Sequence, residues 1–309
     1  MSSNEKDWRG TFGRHETFAL RFGWLAKGFD VFLEGGKEAQ SEEDAIASLG
    51  VGKNMVSSIR YWLEASRIAF QKGRILEPTG LGKTLFGRNG LDPFLEDNGT
   101  IWLLHWLIAS NRDKATTLFW FFNQFHKVEF SADILLANLK VYLVENSNTK
   151  LSDNTLEADI SLLLRMYVGS LSPKELAQED NLDSPLSVLG LIGKTGEGKQ
   201  FYSTRDPRTF LPPQIVGFAL ADIIQRTNRP TLDLQAISLG DAEQPGLATT
   251  FRLTEDALVA KLEQFLAWMP GHYEFRETAG IRQLYQLQPL NPLDILIRYY
   301  GANSLKRAA

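Results

Sequence analysis

Residues 41–70, "SEEDAIASLGVGKNMVSSIRYWLEASRIAF", hold the grammar that decides the fold. Ser41 followed three residues later by Asp44 opens a short helix through Leu49, a capping pattern with Asp in place of Glu. "GVGKN" is a turn. A longer helix runs from about Asn54 to Phe70, and at about 100° per residue it divides in two. Met55, Ile59, Trp62, Leu63 and Phe70 share one side; Ser57, Arg60, Tyr61, Glu64 and Arg67 share the other. A short helix, a glycine turn and a longer helix with an arginine-bearing face make a helix-turn-helix arrangement.

The next segment extends that arrangement. "GRILEPTGLGKTLFG", residues 73–87, reads as a strand, a glycine turn and a second apolar segment, as a wing would. Between Gly50 and Gly90 the cations are Lys53, Arg60, Arg67, Lys72, Arg74, Lys83 and Arg88, against only Glu64 and Glu77. The whole chain of 309 residues carries a formal charge of −4, so this local excess of about +5 stands out. Phosphate attraction needs such a local patch. Lys53, Asn54, Arg60, Tyr61, Arg67 and Lys83 are the expected DNA-binding residues.

Upstream, residues 17–34 read as a helix, with Phe18, Phe22, Leu25, Phe29 and Phe32 in one stripe and Gly35-Gly36 as its end. Glu16, Lys27, Asp30 and Glu34 fall on the opposite face. Arg14 and His15 precede the helix and can fold over its N-terminal end, where backbone N–H groups favour an anion. A carboxylate-held divalent ion, magnesium or manganese, with a histidine nearby would suit phosphodiester hydrolysis. Periodicity alone is satisfied by a simpler reading, an amphipathic helix with a wet outer face.

Downstream, Thr100–Ser110, Lys114–His126, Ser131–Glu145 and Thr155–Val168 carry helical periodicity, and "WLLHWLI" and "LFWFFNQF" are apolar enough to be buried. "SLSPKELAQEDNLDSP", residues 170–185, has the composition of a boundary. "GLIGKTGEGKQFYS" suggests a hairpin, Pro212-Pro213 starts a helix, Thr254 caps another, and "YEFRETAGIRQLYQL" alternates around Ala279-Gly280 as a second hairpin. "NPLDILIRYYG" closes the chain as a helix. The expected fold is mainly α, with winged-helix-like units at both ends joined by a helical middle region. The expected divisions are 1–95, 96–172 and 173–309.

Other chemistries are excluded or weakened. The chain has no cysteine, which removes disulfides, persulfide carriage and iron–sulfur clusters. Gly193, Gly198 and Lys199 imitate a phosphate loop, but Gln200 stands where its hydroxyl belongs and strand-like residues follow, so no nucleotide is expected. The four histidines have no i, i+4 pairing for a helical zinc site, and His105 reads as a core residue. The polar N-terminus has no leader-like apolar segment, and no apolar run approaches the ~20 residues of a membrane helix. A cytoplasmic protein is expected.

"FGRHETFALRFGWLAKGFD", "LGVGKNMVSSIRYWLEA", "GLDPFLEDNGTIWLLHWLIAS", "TLEADISLLLRMYV", "LPPQIVGFALAD" and "TAGIRQLYQL" together resemble the bacterial SspB-like family, in order from about residue 11 to 290. The resemblance implies the DNA-nicking component of a single-strand DNA phosphorothioation system, an antiphage modification in which sulfur replaces a phosphate oxygen. It implies as partners double-stranded DNA, an ATPase and an ATP-pyrophosphatase-like sulfur-transfer protein, with a cysteine desulfurase as sulfur source. The family motif falls on Arg14, His15, Glu16, Arg21 and Asp30. Among these, His15 is the expected proton carrier, Glu16 and Asp30 the metal or water ligands, and Arg14 the phosphate clamp. A non-catalytic adaptor that recruits the sulfur-inserting proteins is the alternative.

Overall fold

The computed structural model describes residues 8–35, 41–168, 184–196, 199–278 and 281–307. The sequence boundary at 172 and 173, Gly198 of the first hairpin, and Ala279 and Gly280 of the second lie outside these residues. The fold is mainly helical with three small antiparallel sheets among the described residues.

The N-terminal part comprises α1 (Trp24–Phe29), a π-helical turn (Asp30–Glu34), α2 (Glu42–Leu49), α3 (Lys53–Ala65), β1 (Ala69–Lys72), β2 (Ile75–Pro78) and α4 (Gly80–Phe86). The Ser41 hydroxyl accepts the Asp44 N–H, so the cap read from sequence starts α2. α3 stops earlier than its periodicity suggests. Ser66 turns its hydroxyl back onto the Trp62 carbonyl, and Arg67 takes φ 56°, after which the chain enters β1. The hairpin turns at Gly73, not at the later glycines; "GLGKTLF" is α4, capped by Thr79.

The expected helix over 17–34 is much shorter. Glu16 and Thr17 sit in the left-handed region, φ 48° and 64°, and Gly23 follows at φ 77°. Helical φ is negative, so regular structure begins only at Trp24. Leu25, Phe29 and Phe32 are buried as the stripe requires, whereas Phe22 is exposed. Gly28 lets α1 lie close on α3: a Cβ there would stand 2.5 Å from Ile59 Cγ2.

The centre is α5 (Asn98–Ala109) and α6 (Thr116–Asn123), flanked by α7 (Ala132–Asn146) and α8 (Asp153–Tyr167). Every residue of α6 is buried, and of α5 only Asn98 is not. A helix apolar all round has no solvent face to offer and becomes the core around which others pack. Its polar residues are satisfied internally. His105 Nδ1 meets the Tyr167 hydroxyl and Nε2 the Thr250 carbonyl, each at 2.8 Å. Burial lowers the His105 pKa to about 3, and Arg252 and Arg208 act in the same sense.

The remaining elements are β4 (Gly193–Thr195), β5 (Gln200–Tyr202), α9 (Pro213–Thr227), β6 (Thr231–Asp233), α10 (Leu234–Leu239), α11 (Leu247–Phe251), α12 (Glu255–Trp268), β7 (Tyr273–Thr278), β8 (Ile281–Gln286) and α13 (Pro292–Arg307). A 3-10 turn at Pro185–Leu189 packs against α5 and α8. β3 (Glu129–Phe130) joins β5 and β4 in one sheet, in the order β3-β5-β4. The other three-stranded sheet has the order β6-β8-β7, so the strand between α9 and α10 lies beside the C-terminal hairpin. No helix among the described residues is long and apolar enough to cross a membrane.

Candidate functional site

The segment from Thr11 to Phe18 is held against three helices. Thr11 N–H donates to the Thr116 hydroxyl on α6, and Gly13 N–H donates to Asp159 Oδ1 on α8 at 2.8 Å. Arg165 Nη2 donates to the Thr17 carbonyl at 2.6 Å. The Phe18 carbonyl accepts the Trp62 indole N–H and the Ser58 hydroxyl, both from α3.

His15 lies at the centre of this clamp and is 2% exposed. Its Nδ1 accepts the Thr17 N–H at 3.1 Å, which places the ring proton on Nε2, facing Asp159 Oδ1 at 2.8 Å. Asp159 Oδ2 accepts the Thr117 hydroxyl, and the Tyr61 ring packs edge-on against the imidazole. The histidine expected as the proton carrier is thus buried, with both nitrogens engaged. The signal that was missed is Asp159, four residues after Thr155 on a helix far away in sequence.

Burying His15 pushes its neighbours outward. Arg14 and Glu16 are exposed on either side. Two successive non-glycine residues at positive φ, one of them β-branched, cost on the order of 1–3 kcal/mol each. The hydrogen bonds on Gly13, Thr17 and Phe18 hold that conformation. Arg21 lies over the Trp24 ring at 5.3 Å and over the Phe18 ring at 5.9 Å.

Asp30 is exposed at the start of the π-helical turn, a rare geometry that often marks functional positions. Glu34 closes the same turn and accepts the Arg88 N–H at 3.1 Å, which ties the turn to the end of α4. Glu16 and Asp30 occupy separate elements. Among the described residues no three His, Asp or Glu side chains gather as a metal cluster.

The cationic patch is redistributed by folding. Lys53 pairs with Glu42 at 3.0 Å and Lys72 with Glu77 at 2.9 Å. Arg60 stacks on Phe32 at 4.1 Å from the ring centroid; burial lowers its pKa, with Glu42 acting in the opposite sense. Two expectations need correcting. Tyr61 is buried, and its hydroxyl donates to the Lys114 carbonyl at 2.9 Å, because the loop before α6 covers that side of α3. Arg67 lies beyond the helix and donates to Asp222 and Ser110. Asn54 remains exposed at the start of α3. Arg74, Lys83 and Arg88 are exposed without an ion-pair partner among the described residues. The available positive charge therefore sits on the hairpin turn and α4, beside the π-helical turn.

The family described as Protein of unknown function (DUF4007) matches residues 12–300. No curated protein matches the chain in sequence. Among solved structures, a magnesium ion-bound SspB crystal structure is similar with a TM-score of 0.84 and 28% identity, covering 97% of this chain and 91% of that chain. A second SspB crystal structure has a TM-score of 0.83 and 29% identity, covering 96% and 90%. The motif resemblance and the fold agree over almost the whole chain, and the protein belongs to the DUF4007 family, as an SspB-like member.

Proposed function

We propose that this protein is the DNA-nicking component of a single-strand DNA phosphorothioation system, hydrolysing one phosphodiester so that sulfur can be inserted. The likeness to a magnesium-bound SspB across 97% of the chain carries the reading. In this reading the protein works in the cytoplasm on double-stranded DNA, alongside the phosphorothioation ATPase and the ATP-pyrophosphatase-like sulfur-transfer protein. The first 95 residues face the duplex. The order α2, α3, β1, β2 supports a winged-helix-like unit there, and α9, β6, α10, α12, β7, β8 with sheet order β6-β8-β7 supports a second.

Magnesium takes one or two carboxylates, with water and phosphate oxygens completing its shell. Glu16 and Asp30 fit that donor chemistry, as exposed carboxylates outside any ion pair among the described residues. A bound magnesium or manganese ion would supply Lewis-acid polarisation of the phosphate. Arg14 clamps the phosphate with its guanidinium. Lys83 and Arg88, with Arg74, hold the flanking backbone. His15, sealed against Asp159, sets the outward aim of Arg14 and Glu16 and acts as a positioning residue.

One observation favours the alternative, a non-catalytic adaptor that recruits the sulfur-inserting proteins: the only histidine in the motif is committed at both nitrogens. A plasmid assay separates the readings. The nickase converts supercoiled DNA to open circles with magnesium or manganese, and Glu16→Gln and Asp30→Asn abolish the conversion. Binding without strand breaks at every protein concentration identifies the adaptor.

A further inference from the structure

A second charged and aromatic surface surrounds the loop from Thr204 to Phe210. Its core is Arg252, a guanidinium 4% exposed with no carboxylate partner among the described residues. Arg252 donates instead to the Ser203 hydroxyl and to the carbonyls of Phe121, Phe122, Phe125 and Thr249, at the C-terminal ends of α6 and α11. Helix-end carbonyls carry only partial negative charge. The site therefore stays electropositive. Burial and the neighbouring Arg205 and Arg208 lower the Arg252 pKa to about 9, and burial, Arg252 and Arg205 lower that of His126.

Over this centre the loop is stapled into one shape. Asp206 N–H donates to the Arg252 carbonyl, and Asp206 Oδ1 accepts the Arg208 N–H at 2.9 Å. Arg208 sits at φ 48° and donates to the carbonyls of Thr204 and Gly190. Leu211 N–H closes a turn on the Arg208 carbonyl, and Lys261 Nζ anchors the Leu211 carbonyl at 2.7 Å. The tip of that turn presents Phe210, 85% exposed, the most exposed large hydrophobic residue described.

Exposed aromatic and cationic groups continue alongside. Ser203 N–H donates to the Val128 carbonyl, which lays His126 and Lys127 beside Thr204 and Arg205. The half-open Tyr202 ring lies over Gly193, where a Cβ would stand 2.2 Å from its Cζ. Lys127, Lys199 and Arg205 are exposed without an ion pair among the described residues, against the exposed carboxylates of Glu129 and Asp206, the latter accepting the loop's own N–H.

We infer that this face binds single-stranded nucleic acid, with Phe210 as a stacking platform for an unpaired base and Arg205 and Lys127 on the flanking phosphates. An unpaired base has both faces free to stack on a rigidly held aromatic tip, whereas a duplex must first be unstacked at a cost in free energy. The surplus of unpaired cations selects a polyanion over an apolar protein groove. The inference goes beyond strand cleavage and stands whether or not the chain nicks.

The test measures anisotropy of a fluorescein-labelled oligothymidylate of about 16 nucleotides, the upper end of single-strand site sizes. The intact chain binds it at low salt. Phe210→Ala weakens binding about 5- to 100-fold, the effect of one lost stack, and Phe210→Tyr restores it. Arg205→Gln lowers the slope of log affinity against log salt by about 0.7. Arg74→Gln and Lys83→Gln weaken binding of a duplex of equal length more than they weaken oligothymidylate binding. No oligothymidylate binding by the folded wild type overturns the inference, as does unaltered binding by both Phe210→Ala and Arg205→Gln. Loss of association with the phosphorothioation proteins in those two variants, with oligothymidylate affinity intact, also overturns it and makes the face a protein interface. Failure of plasmid nicking alone leaves the inference standing and removes only the nickase reading.

Discussion

His15 Nε2 and Asp159 Oδ1 lie 2.8 Å apart, both side chains buried, and the contact ties the N-terminal segment to α8. The same carboxylate accepts Gly13 N–H and the Thr117 hydroxyl, so one side chain organises three separate parts of the chain.

Removing either partner strands polar groups in a closed pocket. His15→Ala and Asp159→Ala are each expected to lose about 2–4 kcal/mol of stability, as for a broken buried pair. Urea denaturation measures it. Glu16→Gln, at an exposed position, is expected to stay within about 0.5 kcal/mol of wild type. An equally small effect for His15→Ala would show that the clamp is not a structural anchor.

Duplex binding is expected to depend on Arg74, Lys83 and Arg88 more than on α3. Each change to Gln should reduce the slope of log affinity against log salt by about 0.9. Tyr61→Phe should leave that slope unchanged while costing about 1 kcal/mol of stability through the lost bond to Lys114. A salt titration of duplex binding decides; a slope that moves with Tyr61 and not with Lys83 would reverse the assignment.

Asp222 serves two cations at once. Arg67 Nη1 lies 3.0 Å from Oδ2 and Arg226 Nη2 2.9 Å, and the Trp106 indole also donates to it at 2.8 Å. Burial alone would raise the Asp222 pKa, but the two guanidiniums and the indole outweigh it and lower the net value. Asp222→Asn leaves two guanidiniums facing each other and is expected to cost about 2–3 kcal/mol, less than a fully buried pair because all three groups keep some solvent contact. Thermal melting is the measurement, and Arg67→Gln in the Asp222→Asn background should recover part of the loss.

His105 predicts acid sensitivity. Its pKa is near 6.5 in an unfolded chain and about 3 in the fold, so below 6.5 the unfolded state takes up the proton first. The contribution is fully present above pH 6.5 and is lost as pH falls from there towards 3, reaching roughly 5 kcal/mol at the limit. Melting temperatures across pH 7 to 4 should fall less steeply for His105→Gln than for the wild type. Parallel slopes would exclude His105 as the source.

Much of the fold is written locally. Ser41, Thr254 and Pro213 start their helices where short-range chemistry puts them, and the mostly apolar helices 98–109 and 116–123 announce a buried centre. Caps and periodicity act within a few residues and are legible in one dimension. The family resemblance was equally legible, because it rests on long motifs in order.

What the side chains face was decided only by tertiary structure. Tyr61 and Arg60 are neighbours on one helix, yet one is sealed by the Lys114 loop and the other lies on a phenylalanine ring. His15 became an anchor because Asp159, 144 residues away, meets it in the folded chain. Lys53, Lys72 and Arg67 carry charge in the sequence but meet carboxylates in the fold, leaving the free cations elsewhere. Sequence fixes which groups are charged or apolar; burial and pairing depend on what long-range packing brings within a few ångströms, since Coulomb and hydrogen-bond energies depend on distance and solvent rather than on chain order.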